Sequence, residues 1–242
     1  MLTQTQTKGA IRVVSTIAVG IVAAIVMTWI VVTWVARLQR ENHDVLRYHR
    51  MRAIVQATLI SDEGTFFCPG RPTTNFADVS WRLSVVLTLR SRPYLPFVAN
   101  DWQSQVNQEW REVSPEEVTD GLNGQATVLA IGGQGTAFDK TSPVLVDDVP
   151  PSTIVFIECE ASGVLWMEPR DLHVADLLAG KSDGITIVSK AGSRRWFLVA
   201  FADGTVWKLS SATPLSVLGE CALMDRMRSR SRDVVVGQYR IR

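Results

Sequence analysis

Residues 13–36, VVSTIAVGIVAAIVMTWIVVTWVA, constrain this chain more than any other stretch. They run for 24 residues without a charge, between Arg12 and Arg37. At about 1.5 Å per residue a helix of that length is roughly 36 Å long, enough to cross a hydrocarbon core of about 30 Å. A buried core helix would be shorter and would have a polar face. A cleavable signal peptide would have a shorter apolar run and a small-x-small cleavage site. Trp29 and Trp34 near one end suit an interfacial aromatic belt. The expectation is a membrane-spanning helix, with the rest of the chain as its cargo.

The net charge of +1 conceals segregation. Residues 1–60 hold seven Lys/Arg against Glu41 and Asp44, residues 61–224 hold twelve against twenty Asp/Glu, and residues 225–242 hold six arginines against Asp225 and Asp233. The basic stretch after the span fits anionic lipid headgroups. The acidic middle argues against nucleic acid as a partner. Three cysteines, Cys68, Cys159 and Cys221, lie far apart without metal-ligand spacing, so at most one internal bridge is available.

Beyond the span, Tyr48, Met51, Val55 and Leu59 recur at helical spacing, with Ile54 and Thr58 beside them. One continuous helix of about 50 residues, roughly 75 Å long, is the simplest reading. Its inner half would sit in lipid and its outer half would pack on a domain; a break near residues 37–42 is the alternative. Residues 64–78 are expected as loop. Residues 80–89 (SWRLSVVLTL) are β-branched enough for a strand, with a short helix as the alternative. A short helix follows through QSQVNQEW, capped by Asn100 or Asp101. Strands are expected at 126–131, 152–160 and 184–188, with a helix over LHVADLLA capped by Asp171. Ala202-Asp203-Gly204 between WFLVAF and TVWKLS marks a hairpin. A closing helix over 214–224 and an arginine-rich solvated tail complete the chain.

Few residues invite chemistry. The glycines of GGQGTAF (132–138) follow a strand, but there is no Gly-Lys-Ser/Thr and no G-x-G-x-x-G, so a tight turn is expected instead of a phosphate loop. His173 is the one histidine beyond residue 49, and no nucleophile-bearing turn accompanies it, so it reads as a helix-surface imidazole. Glu158, Glu160, Glu168 and Asp171 form the best carboxylate cluster. Glu168 and Asp171 are the weak candidates for a divalent cation, set against a capping role for Asp171 and an ion pair between Glu168 and Arg170. No catalytic residue and no cofactor site is assigned. The tryptophans 81, 102, 166, 196 and 207 read as packing residues.

The motifs GTFFCPG (64–70), SWRL (80–83), NDWQSQVN (100–107), GGQGTAF (132–138), TIVFIECEASGVLWMEPRDL (153–172) and FADGTVWKL (201–209) occur in a recognisable order. That succession resembles a large family of pilin-like membrane proteins of unassigned function, abundant in planctomycete bacteria. The resemblance covers roughly residues 61–210. It implies an α+β, pseudopilin-like fold in which a long N-terminal helix packs its outer half on an antiparallel sheet. It also implies an exported domain and a non-enzymatic assembly or secretion-related role, with other pilin-like subunits or a secretion apparatus as partners. This chain departs from the family's N-terminal pattern: Gly9-Ala10-Ile11-Arg12 leads straight into the span, and the apolar helix has no glutamate. An uncleaved single-pass anchor in the inner membrane is therefore expected. Arg37, Arg40, Arg47, Arg50 and Arg52 follow the span, and the positive-inside rule taken alone favours a cytoplasmic domain. The resemblance favours the non-cytoplasmic side, which is the placement adopted.

The expected organisation is a tail at 1–12, the transmembrane helix at 13–36, a membrane-proximal helix at 37–62, a pilin-like α+β domain at 63–224 and a basic tail at 225–242. The alternative function is a membrane-anchored module that binds a divalent cation or an extracellular polymer.

Overall fold

Helix α1 (Gln4–Leu59) runs for 56 residues without interruption, so the break considered near residues 37–42 does not occur. The computed structural model describes residues 4–59, 80–90, 102–112, 114–119, 123–139, 141–142, 144–188 and 195–241; in α1 the side chains are described from Val22 onward, Ala23 excepted. The expected loop at 64–78 and the caps Asn100 and Asp101 lie outside these residues. The chain divides into two compact units, Met1–Arg47 and Tyr48–Arg242.

In the first unit the described apolar side chains of α1 from Val22 to Val35 are solvent-exposed on every side. Ile25, Met27, Trp29, Val32 and Trp34 are each about 60 % exposed. The hydroxyls of Thr28 and Thr33 donate back to the carbonyls of Ala24, Trp29 and Ile30, so these polar groups are satisfied within the helix. Further along, Arg37 pairs with Glu41 at 2.8 Å and Arg47 with Asp44 at 3.4 Å. Among the described residues no helix is long and apolar enough to cross a membrane, and much of the expected span precedes the first described side chain.

The second unit begins with the last turns of α1. Met51, Ile54, Val55, Ala57 and Thr58 are buried, and Tyr48 and Leu59 pack at the margin, so the expected stripe faces a core. The sheet that receives it consists of β1 (Val128–Gly132), β2 (Ile154–Glu158), β3 (Leu172–His173), β4 (Trp196–Phe201), β5 (Val206–Ser210) and β6 (Arg240–Ile241). Their spatial order is β3-β1-β2-β4-β5-β6. The sheet is mixed, because β3 runs parallel to β1 while the other pairs are antiparallel. The antiparallel sheet expected from the resemblance is corrected on this point: the chain returns to β1 through the loop after β2 and meets it in the same direction.

Both faces of the sheet are covered, which explains why its strands read as apolar runs. One face presents Val128, Ala130, Phe156, Leu198 and Ala200 to α1 and to α2 (Trp81–Leu89). The other presents Leu129, Ile131, Ile157, Phe197 and Val199 to α4 (Val174–Leu178), α5 (Leu215–Ala222) and α6 (Met224–Arg228). A register shift between Ile154 and Phe156 breaks the alternation in β2, and Val155 joins Phe156 in the first core. Gly219 lets α5 approach α4 closely, since a Cβ there would lie 3.0 Å from the Leu178 amide nitrogen. Helix α3 (Gln108–Glu112), preceded by a 3-10 turn at Gln105–Asn107, matches the helix expected over QSQVNQEW.

Three local expectations are corrected. Residues 81–89 form a helix and not a strand: the Ser80 hydroxyl caps it by accepting from the Arg82 amide, and five of its nine residues bury. Burial against the α1 side of the sheet overrides β-branched propensity here. Residues 184–188 make a single bridge, Thr186 to Ala161, after a turn with positive φ at Asp183 and Gly184, and no strand forms. Residues 225–242, expected as a solvated tail, hold most of α6, then α7 (Arg232–Val235) and the edge strand β6. Met227 and Val236 supply the buried apolar anchors that a solvated tail lacks.

Candidate functional site

Arg82 is fully buried at the start of α2, and a buried guanidinium must satisfy five N–H donors. Its Nε donates to the Val128 carbonyl at 3.1 Å. Its Nη1 donates to the Ser80 hydroxyl at 2.7 Å and to the Glu168 carbonyl at 3.1 Å. Its Nη2 donates to the Arg170 carbonyl at 3.3 Å and to Oδ1 of Asp171. Every donor is therefore used, and the partners come from α2's cap, from β1 and from the loop 168–171.

Asp171 closes the arrangement. Besides Arg82 it accepts from Trp81 Nε1, 3.1 Å from each carboxylate oxygen, and from the Ala130 amide at 2.9 Å. The Ala130 amide is satisfied by this side chain just before β3 begins to pair with β1 at Ile131. Trp81 stands against Phe156, with ring centroids 4.7 Å apart, and Phe138 lies 5.3 Å from Phe156. Burial pulls the pKa of Arg82 down and the Asp171 charge opposes that shift. Arginine nevertheless stays ionised inside proteins. Residues from SWRL, GGQGTAF, TIVFIE and MEPRD thus converge on one interlock.

Asp171 was expected to cap the helix over LHVADLLA, and this is corrected. His173 occupies that position: its Nδ1 accepts from the Ala175 amide at 3.3 Å, and the imidazole is exposed. Glu168 pairs with Arg170 at 2.9 Å and accepts from the Leu165 amide at 3.2 Å. The two carboxylates considered for a cation are therefore both engaged by N–H donors. Among the described residues no group of three or more His, Cys, Asp or Glu is placed to hold a metal ion. In the glycine turn, Gly133 (φ +123) sits where a Cβ would lie 2.9 Å from Val174 Cγ1, so close packing on α4 requires glycine.

A second cluster forms around the hairpin turn. Asp203 accepts from the Thr205 amide and hydroxyl and pairs with Arg232 at 2.8 Å. Burial works against ionisation of Asp203, but the hydrogen bonds from Arg232 and Thr205 outweigh it and hold the carboxyl below its ordinary value. The Arg232 guanidinium also lies 4.9 Å from the Phe201 ring centroid and 5.1 Å from that of Trp207. Cys159 and Cys221 are buried thiols; burial raises both pKa values, that of Cys221 to about 12.

Sequence reasoning did not find Arg82 as the partner of Asp171, nor Arg232 as that of Asp203. The available signal was an arginine inside the apolar run SWRLSVVL, where only a buried or edge-lying side chain fits. Comparison of the chain with models of known protein families, with curated proteins and with solved structures finds no match.

Proposed function

We propose that this chain is a non-enzymatic, single-pass membrane protein. Its α+β domain serves as a pseudopilin-like structural or assembly component on the non-cytoplasmic side of the inner membrane, linked to secretion or cell-surface organisation. The observation that carries the reading is α1 itself: one helix with buried apolar residues at its C-terminal end and apolar side chains exposed all round from Val22 to Val35. Helices that are apolar on every side belong in an apolar medium. Thr28 and Thr33 return their hydroxyl protons to the helix backbone, so neither hydroxyl is left unsatisfied in such a medium. The motif order supports the pilin-like reading, and the Arg82–Asp171 interlock gives its scattered motifs a shared positioning role. The partners proposed are the bilayer and other pilin-like subunits or a secretion apparatus. No observation favours the cation or polymer alternative, since Glu168 and Asp171 are both engaged.

A thiol at Gln238, which is exposed, tests the placement. Gln238→Cys is made in a Cys68→Ser background, where the buried Cys159 and Cys221 stay silent. The expected result is labelling of intact spheroplasts by a membrane-impermeant maleimide, with the label recovered in the membrane fraction. Labelling that appears only after lysis contradicts the exported placement, and label in the soluble fraction contradicts anchoring.

A further inference from the structure

The edge of the sheet at β5 is apolar and β-prone, and such an edge invites pairing unless something covers it. Residues 231–241 do so. They carry α7, a 3-10 turn at Gly237–Tyr239 and β6, which pairs Lys208 with Ile241 and Leu209 with Arg240. The hold combines apolar and polar contacts: Val236 is fully buried and Val235 packs against the same core. Arg232 bonds Asp203 and Thr205, and Arg240 stacks 4.1 Å over the Trp207 ring. Val236 is the fully buried apolar anchor of this segment, while Val234 is 75 % exposed and both residues of β6 are exposed. Ser229 and Arg230, which join the segment to α6, are both exposed.

We infer that residues 231–241 form an exchangeable strap, and that its alternative seat is the β5 edge of a second copy of this chain. The argument is complementarity already on display. The surface of Asp203, Thr205, Trp207 and Lys208 fits Arg232, Arg240 and Ile241 within one chain, so the same surface on a neighbour fits them equally. Exchange of an identical element is a low-cost route to self-association, and a short connector favours it. Reciprocal exchange closes a dimer, whereas one-way exchange extends a row of subunits. This deepens the assembly reading by naming a second copy as the partner, and it needs no bilayer.

The test uses the full chain in detergent, again in a Cys68→Ser background. One preparation carries Lys208→Cys and a second, distinguished by its tag, carries Ile241→Cys. A cis control carries both. The two positions face each other across β5 and β6. The expected result is an intramolecular link in the cis control. On mixing the single variants, a covalent heterodimer should form at roughly ten times the yield of either homodimer. Asp203→Asn, which loosens the closed and the exchanged seat alike, should speed heterodimer formation without raising its final level. Heterodimer at the level of collisional homodimers, with the cis control closed, overturns the inference; so does a cis control that never closes. Neither outcome touches the membrane reading, which is tested separately by flotation with lipid.

Discussion

Arg82 and Asp171 are 89 residues apart in the chain, yet each completes the other's hydrogen bonding. Removing one partner of a buried pair leaves a charge with nothing to answer it, a loss of about 3–5 kcal/mol. Asp171→Asn is therefore expected to lower Tm by roughly 10 °C in a thermal melt. An Arg82→Met, Asp171→Leu double variant should not recover that loss, because the Trp81 Nε1 and Ala130 N–H donors and the Val128, Glu168 and Arg170 carbonyls would then lose their partners. Asp203 gives a pH signature. Its folded pKa lies below the ordinary 3.8, so its contribution is full above about pH 4 and is lost as pH falls through the folded value. The wild type should exceed Asp203→Asn by about 0.5–1 kcal/mol in urea melts at pH 6, and the gap should close toward pH 2. An equal gap at both pH values contradicts this assignment. At this scale the sequence was least legible. Asp171 stands one residue before Leu172 in a pattern that resembles a helix start, and nothing local discloses a guanidinium arriving from α2.

Among elements, those whose signals are local were readable. The β4–β5 hairpin follows from Asp203-Gly204 between β-rich runs, with Gly204 at φ +80. The stripe from Tyr48 to Leu59 follows from helical periodicity, and β1 and β2 follow from their apolar runs. Helix α2 stood only as the alternative to a strand because its β-branched residues favour a strand, whereas the Ser80 cap and burial on the sheet decide for the helix. The fold of 225–242 was missed because its arginines mask two apolar anchors, Met227 and Val236. Two substitutions test the element packing. Val55→Asp places a charge in a fully buried position of α1 and should abolish cooperative unfolding of the domain. Gly219→Ala forces α5 off the Leu177–Leu178 backbone of α4 and should cost about 1–3 kcal/mol in chemical denaturation. A neutral result would mean that the two helices separate freely.

Taken whole, the chain joins a helix with a charge-free apolar stretch at residues 13–36 to a domain whose mixed sheet is covered on both faces. The covering has a physical consequence: apolar strand residues are buried within the domain, and among the described residues the exposed large apolar side chains concentrate on α1 between Val22 and Val35. A helix with that surface gains about 25 cal/mol for every Å² of it removed from water, which is why lipid is proposed as its surrounding. The most direct measurement is flotation of the full chain with membranes after washing at alkaline pH, without detergent. The account predicts that the intact polypeptide floats with the lipid, and that Ile25→Lys with Val31→Lys shifts it to the soluble fraction. Full-length wild type left at the bottom of the gradient, folded and untrimmed, would contradict the account.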